Sequence, residues 1–396
     1  MVPHVFEPAD LGPVRLRNRT IKAATFEGRT PDGLVTDELI DFHLAPARGG
    51  VGLTTVAYLA VAPEGRTQKE VIVVDDASAP GLARLTEAIH ETGAKVAGQL
   101  GHAGPVANGR SNGVRALAAS RMPSPLSLQM IRSATAADIA RITRDYARAA
   151  RIMADAGFDV LEIHMAHGYL LNSFLAPRQN RRKDDWGGSL ENRARFARDV
   201  ARVVREEVGD RVAVTAKIGM TEGSPVGFAM PESLEFAQML EADGHLDALE
   251  LSAGSSLLNP MYLFRGDAPV GDMVTNMPLK AATKLGMRVG GKAFFKEYPW
   301  QPLYFLELAR QFRQELSMPL ILLGGITDRA AITTAMDEGF EFVAMARALL
   351  REPDLVNRMQ QDASTQSQCI HCNKCMATIY VGTHCHLADV RAGGAA

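Results

Sequence analysis

Cysteine is absent from residues 1–368 of this 396-residue chain, and all four cysteines fall between positions 369 and 385. That excludes a distributed disulfide framework, and clustering in a reducing compartment favours metal or redox chemistry. No apolar stretch reaches the roughly 18 to 20 residues that a membrane span needs. The amino terminus lacks the basic and apolar regions of a signal peptide, so a cytoplasmic protein without a membrane partner is expected. The formal net charge is only −2, without the clustered basic excess that nucleic-acid backbones demand. Arg181-Arg182-Lys183 is answered at once by Asp184-Asp185 and reads as a solvated or salt-bridged turn. Low-complexity tracts are missing too, which leaves one large globular domain or two ordinary ones.

What is present is an alternation. Apolar strand candidates at 19–24, 51–56, 95–100, 159–164, 212–218, 247–252, 319–323 and 341–345 are separated by amphipathic helix candidates. The helices carry their own punctuation: Gly49-Gly50 and Gly93 as stops, Thr135 and Ser189 as caps, and Pro80, Pro231 and Pro353 as starts. Mostly apolar, β-branched strands separated by helices need a parallel sheet covered by helices. Eight such units favour a closed (β/α)8 TIM barrel. An ordinary barrel uses about 250 residues; long loops after strands 3 and 6, at 101–134 and 253–300, and the terminal extensions supply the surplus. A doubly wound sheet is the rival, but no Gly-x-Gly-x-x-Gly turn follows the early strands. The expected division is a barrel over 1–362 and a Cys-rich extension over 363–396, packed on or near the barrel.

In a barrel the carboxyl ends of the strands converge on one mouth. Strand 3 ends in Gln99, strand 4 in His164, His167 and Tyr169, and strand 5 near Lys217. Strand 7 ends in Gly324-Gly325 and strand 8 near Ala346-Arg347, where barrels commonly hold a phosphate. Proton donors at the centre of the mouth and a phosphate at its edge suggest a phosphorylated cofactor with a reacting ring. A lone His at a strand end is more often structural, and a barrel lyase or isomerase of a phosphorylated substrate would use the same parts.

The run His164-Met-Ala-His-Gly-Tyr-Leu-Leu-Asn-Ser-Phe-Leu-Ala-Pro, continuing through Asn180-Arg-Arg-Lys-Asp-Asp-Trp-Gly-Gly-Ser-Leu-Glu-Asn-Arg-Ala-Arg-Phe196, resembles the signature of the old yellow enzyme family of FMN oxidoreductases. The resemblance extends over residues 3–360 or so and takes in Gln99-Leu-Gly-His-Ala-Gly104, Leu322-Leu-Gly-Gly325 and Val343-Ala-Met-Ala-Arg-Ala-Leu-Leu350. It implies non-covalent FMN at the mouth, with Ala23, Ala24 and Thr25 lining the ring, Gln99 on its pyrimidine edge, and Gly325 and Arg347 on the phosphate. Gly324 and Ala346 stand beside that phosphate. Lys217 stands where the family usually has Arg, near N1 and the C2 carbonyl; a cation there favours the anionic reduced flavin. His164 and His167 are implied donors to a substrate carbonyl and Tyr169 the proton donor, in ping-pong transfer of hydride from NAD(P)H through FMN to an electron-poor C=C bond. Phe26 departs from relatives that carry Thr, Cys or His there.

The tail, Cys369-x2-Cys372-x2-Cys375-x9-Cys385, resembles the cluster motif of the dienoyl-CoA reductase and trimethylamine dehydrogenase branch, with one spacing shorter than that pattern. Four thiolates suit a [4Fe-4S] cluster or Zn2+; His371, His384 and His386 are substitute ligands, and free or redox-labile thiols are the third reading. Small-molecule substrate and nicotinamide are the expected partners, and a homo-oligomer is compatible with all of this.

Overall fold

The computed structural model describes residues 4–124, 127–276 and 281–388. Eight parallel strands close into a barrel in sequence order: β1 (Thr20–Lys22), β2 (Leu53–Ala60), β3 (Lys95–Gly101), β4 (Val160–Met165), β5 (Ala213–Gly219), β6 (Ala248–Ser252), β7 (Leu320–Leu323) and β8 (Phe342–Met345). The covering helices are α1 (Asp37–Arg48), α2 (Ala79–His90), α3 (Ala136–Asp155), α4 (Leu190–Val208), α5 (Glu232–Asp243), α6 (Leu306–Glu315), α7 (Arg329–Asp337) and α8 (Leu355–Gln361). The (β/α)8 expectation therefore holds. Helix α6 begins at Leu306, after a turn over 302–305 that packs Phe305 into the core.

Caps explain the helix starts. Thr36, Thr135, Ser189 and Asp328 each accept a backbone N–H of the following turn. At α3 the cap is reciprocal: Asp138 returns a bond to the Thr135 backbone at 2.8 Å and also takes two bonds from Arg132 at 2.6 and 2.7 Å. That guanidinium holds the Asp138 carboxyl below its ordinary range. Thr135→Ala is expected to lower the urea midpoint by an amount equivalent to about 1 kcal/mol.

Inward residues form layers. The lowest holds Ile21, Leu53, Ala97, Val160, Ala213, Ala248, Ile321 and Phe342, packed on Ala9, Leu11, Val14 and Leu16 of a short hairpin that precedes the barrel. This hairpin plugs the amino ends of the strands. Its strands are three residues each, too short for an alternating pattern to stand out in the sequence. The next layer is polar: Gln99, Glu162, Lys217 and Glu250, all buried. Above it, at the carboxyl ends, lie His164 and Ser252. The two long loops are not structureless. Residues 101–134 contain a small three-stranded sheet, and 253–300 contain helices Pro260–Phe264, Val270–Asn276 and Ala281–Phe294.

Candidate active site

Strand β4 alternates Glu162 and His164 inward, and the chain turns sharply after it, with His167 at φ +60° and Gly168 at φ +79°. Asn172 accepts the Gly168 N–H at 2.7 Å and fixes that turn. The turn brings three side chains together: the His164 ring lies 5.1 Å from that of His167 and 4.3 Å from that of Tyr169, nearly stacked on the latter. Tyr58 closes the wall at 5.5 Å from Tyr169.

Hydrogen bonds set what these rings can donate. His164 Nδ1 accepts the Ala166 N–H at 3.3 Å, so its proton sits on Nε2, which is left to donate. His167 Nε2 is 2.8 Å from Ser252 Oγ; when that hydroxyl donates, Nδ1–H is presented to the mouth. Burial, then the charges of His167 and Lys217, hold His164 well below the ordinary histidine range. Burial and Lys217 bring His167 down to about 3. Both are neutral donors at any working pH. Burial raises the Tyr169 phenol, with Tyr380 adding to it, so it keeps its proton.

Lys217 is flanked by Glu162 Oε1 at 2.8 Å and Glu250 Oε1 at 2.9 Å, and Gln99 donates to Glu162 at 2.6 Å. The sequence reading placed a lone cation here and missed both carboxylates. Their signal was available, since Glu162 and Glu250 lie two residues before His164 and Ser252 on strands whose inward face has period two. Lys22 approaches from β1: its Nζ donates to Thr25 at 2.8 Å, and burial is the main cause that lowers it to about 8.

At the other end of the mouth, Gly324 and Gly325 have φ of +106° and +75°, and a Cβ on Gly325 would lie 2.7 Å from the Gln301 carbonyl. With Ala346 and Arg347 they line a cleft that also includes Trp300, Cys369 and His371. Trp300 Nε1 and His371 Nε2 are buried there without a hydrogen-bond partner. Unpartnered N–H groups beside a glycine cradle and an arginine fit a phosphate. Arg347 is steadied by the carbonyl of Arg265 at 2.8 Å and by the Asn373 side chain.

The tail meets the segment that follows β1 directly. Thr383 N–H donates to the Glu27 carbonyl at 2.7 Å, Arg29 donates to the Thr383 carbonyl at 3.2 Å, and the Tyr380 ring stands 6.4 Å from that of Phe26. The four cysteines are free thiols. Burial pushes the Cys375 thiol up to about 12, with the other three cysteines among its charged neighbours. Among the described residues no group of His, Cys, Asp or Glu is arranged to hold a metal, so the thiols as placed do not fit one. No helix among the described residues is long and apolar enough to cross a membrane.

Residues 4–253 match the model of the NADH:flavin oxidoreductase / NADH oxidase family. The chain belongs to that family. It is 52% identical over 387 residues to the 4,4'-dithiodibutanoate disulfide reductase of Rhodococcus erythropolis, covering 98% of this chain and 96% of the relative. A metal reductase of Desulforamulus reducens is 32% identical over 93% of this chain, which spans only 51% of that relative's length. Among solved structures, morphinone reductase in complex with tetrahydroNAD is 25% identical, with a TM-score of 0.71 and coverage of 93% and 94% of the two chains. Family membership makes this an oxidoreductase and accounts for the barrel.

Proposed function

We propose that the protein moves hydride from NAD(P)H, through FMN held by Gly324, Gly325 and Arg347 at one end and Gln99 and Lys217 at the other, to an electron-poor C=C bond. The observation that carries this reading is the convergence of two neutral imidazoles and a protonated phenol on one side of the mouth. FMN, when bound, supplies the hydride from its N5. His164 Nε2 and His167 Nδ1 hold the substrate's carbonyl oxygen and draw charge from the β-carbon. Tyr169 gives its proton to the α-carbon, which completes the reduction. Ala23, Ala24 and Thr25 would back the ring.

A second acceptor is favoured by the near full-length similarity to a disulfide reductase. With an S–S bond, hydride goes to one sulfur and the bond breaks. His164 and His167 then hold the departing thiolate and Tyr169 protonates it, so that two thiols leave. Anaerobic stopped-flow reduction with NADH and with NADPH, followed by reoxidation with enones, nitroalkenes, enoyl thioesters and 4,4'-dithiodibutanoate, distinguishes the two acceptors. A colourless protein that takes up no supplied FMN would end both readings and return the phosphate-substrate lyase.

His164→Ala is expected to weaken a phenolate ligand about tenfold or more, the equivalent of one charge-assisted hydrogen bond. Titration of the flavin's long-wavelength band with p-chlorophenol reads it, and unchanged affinity would remove His164 from the substrate site. On the motif alone we propose cluster or zinc ligation by Cys369, Cys372, Cys375 and Cys385, which requires the thiols to move from the arrangement described above, where no group among the described residues is set to hold a metal. Iron, sulfide and zinc analysis of anaerobically purified protein tests this, and metal-free protein would sink it.

A further inference from the structure

Lys217 has two carboxylates to answer and one charge to do it with. Lys217 donates a hydrogen bond to Glu162, which also receives the Gln99 amide. Its 2.9 Å contact with Glu250 is an ion pair without hydrogen-bond geometry, and Glu250 Oε1 is left buried without a donor. Glu250 is 1% exposed. In register it lies between Lys217 on β5 and Ile321 on β7, so on its far side it meets hydrocarbon. The other charged or titratable groups around the trio are Lys22, His164 and His167, each of which feels Lys217. The two histidines are neutral; Lys22 donates to Thr25 and, held at about 8, titrates in the same range as Glu250, so a second proton that persists in Glu250→Gln is assigned to Lys22.

One ammonium balances one carboxylate, and two like charges sharing a dry site do not both ionise readily. Glu162 has the better partners, which makes Glu250 the surplus group. We propose that Glu250 is a proton-holding residue for the flavin: it is the carboxylate that binds a proton from water when the cofactor is reduced. This rests on the reading above that the flavin's pyrimidine edge faces Lys217. Burial first, then the Glu162 charge, pushes the Glu250 carboxyl up to about 8, so it is ionised in the oxidised protein only above that pH.

The balance is simple. Hydride carries two electrons and one proton, so its delivery to the flavin, when bound, would leave one negative charge at the edge held by Lys217 and Gln99. An unmatched arginine would absorb that charge. Lys217 is already matched by Glu162, so the added charge raises the proton affinity of Glu250, and one O–H bond forms at its carboxylate with a proton taken from solvent. No further oxidant or reductant is needed.

The test is the pH dependence of the flavin midpoint potential in the loaded protein, measured spectroelectrochemically with redox dyes between about pH 8 and 9.5. The expected slope for the wild type is two protons per two electrons; Glu250→Gln should give one. Glu162→Gln should also give one, because Glu250 then has Lys217 to itself and stays ionised. A slope of one in the wild type, or a slope of two that survives Glu250→Gln, overturns the inference. Should the Gln variants fail to fold, the wild-type slope decides alone. Failure to bind FMN at all overturns the cofactor reading and this inference with it, whereas bound flavin with a slope of one overturns only the inference.

Discussion

Lys217→Met is expected to destabilise the protein by about 3–5 kcal/mol, the range for stripping one partner from a buried ion pair. Lys217 is 3% exposed, as is Glu162, and Glu250 is 1% exposed, so solvent does little to compensate. Glu162 is then left buried without its cation. Lys217→Arg keeps the charge and should recover most of the stability, although the larger planar group must be fitted into the same layer. An unchanged midpoint for Lys217→Met would mean that the trio contributes no net stability.

Glu250 imposes its own pH dependence on the fold. Its folded value is raised from the ordinary 4.5 to about 8, so the folded state binds the proton more tightly than the unfolded chain. That contribution is fully present below pH 4.5 and is lost as pH rises through about 8. Glu250→Gln should flatten the decline in that window. The histidines act at the other end: their folded values are depressed, so their contribution is present above the ordinary 6.5 and is lost as pH falls toward about 3 for His167.

Tyr169→Phe is expected to slow reoxidation by an alkene about 10²-fold or more, the lower part of the range for a positioned general acid. Flavin reduction by NAD(P)H should stay within about twofold, because no proton is delivered to carbon in that half-reaction. The ring is retained, so its stack on His164 at 4.3 Å should persist. Single-turnover stopped flow separates the half-reactions. Equal slowing of both would assign Tyr169 to packing against Tyr58 and leave the alkene's proton to water.

The barrel was legible because its evidence is repeated eight times and four of its eight covering helices start on a side-chain cap. The cleft lined by Gly324, Gly325 and Arg347 was legible because these residues stand at the ends of consecutive strands. The polar layer was only half legible. Gln99 and Lys217 stood out at strand ends, while Glu162 sits inside an apolar run, where its partner is chosen by a strand 55 positions away in sequence. Long-range pairing of that kind leaves no local trace. The approach of the tail to Phe26 and Glu27 was invisible for the same reason, since Thr383 and Phe26 are 357 residues apart. The insertion after β6 was readable as long but not as helical, because two of its three helices are only five and seven residues long, too short for a helical period to stand out.

The hairpin of Ala9–Leu11 and Val14–Leu16 has a consequence for traffic through the molecule. With Leu11 and Leu16 fully buried against the lowest layer, the polar layer is sealed from below and shares its doorway with the reactants. On the proposed function, nicotinamide, acceptor and the solvent proton destined for Glu250 share that opening. A tightly held acceptor therefore also corks the interior, and amide or carboxyl exchange beneath it should be slowest when the enzyme is saturated.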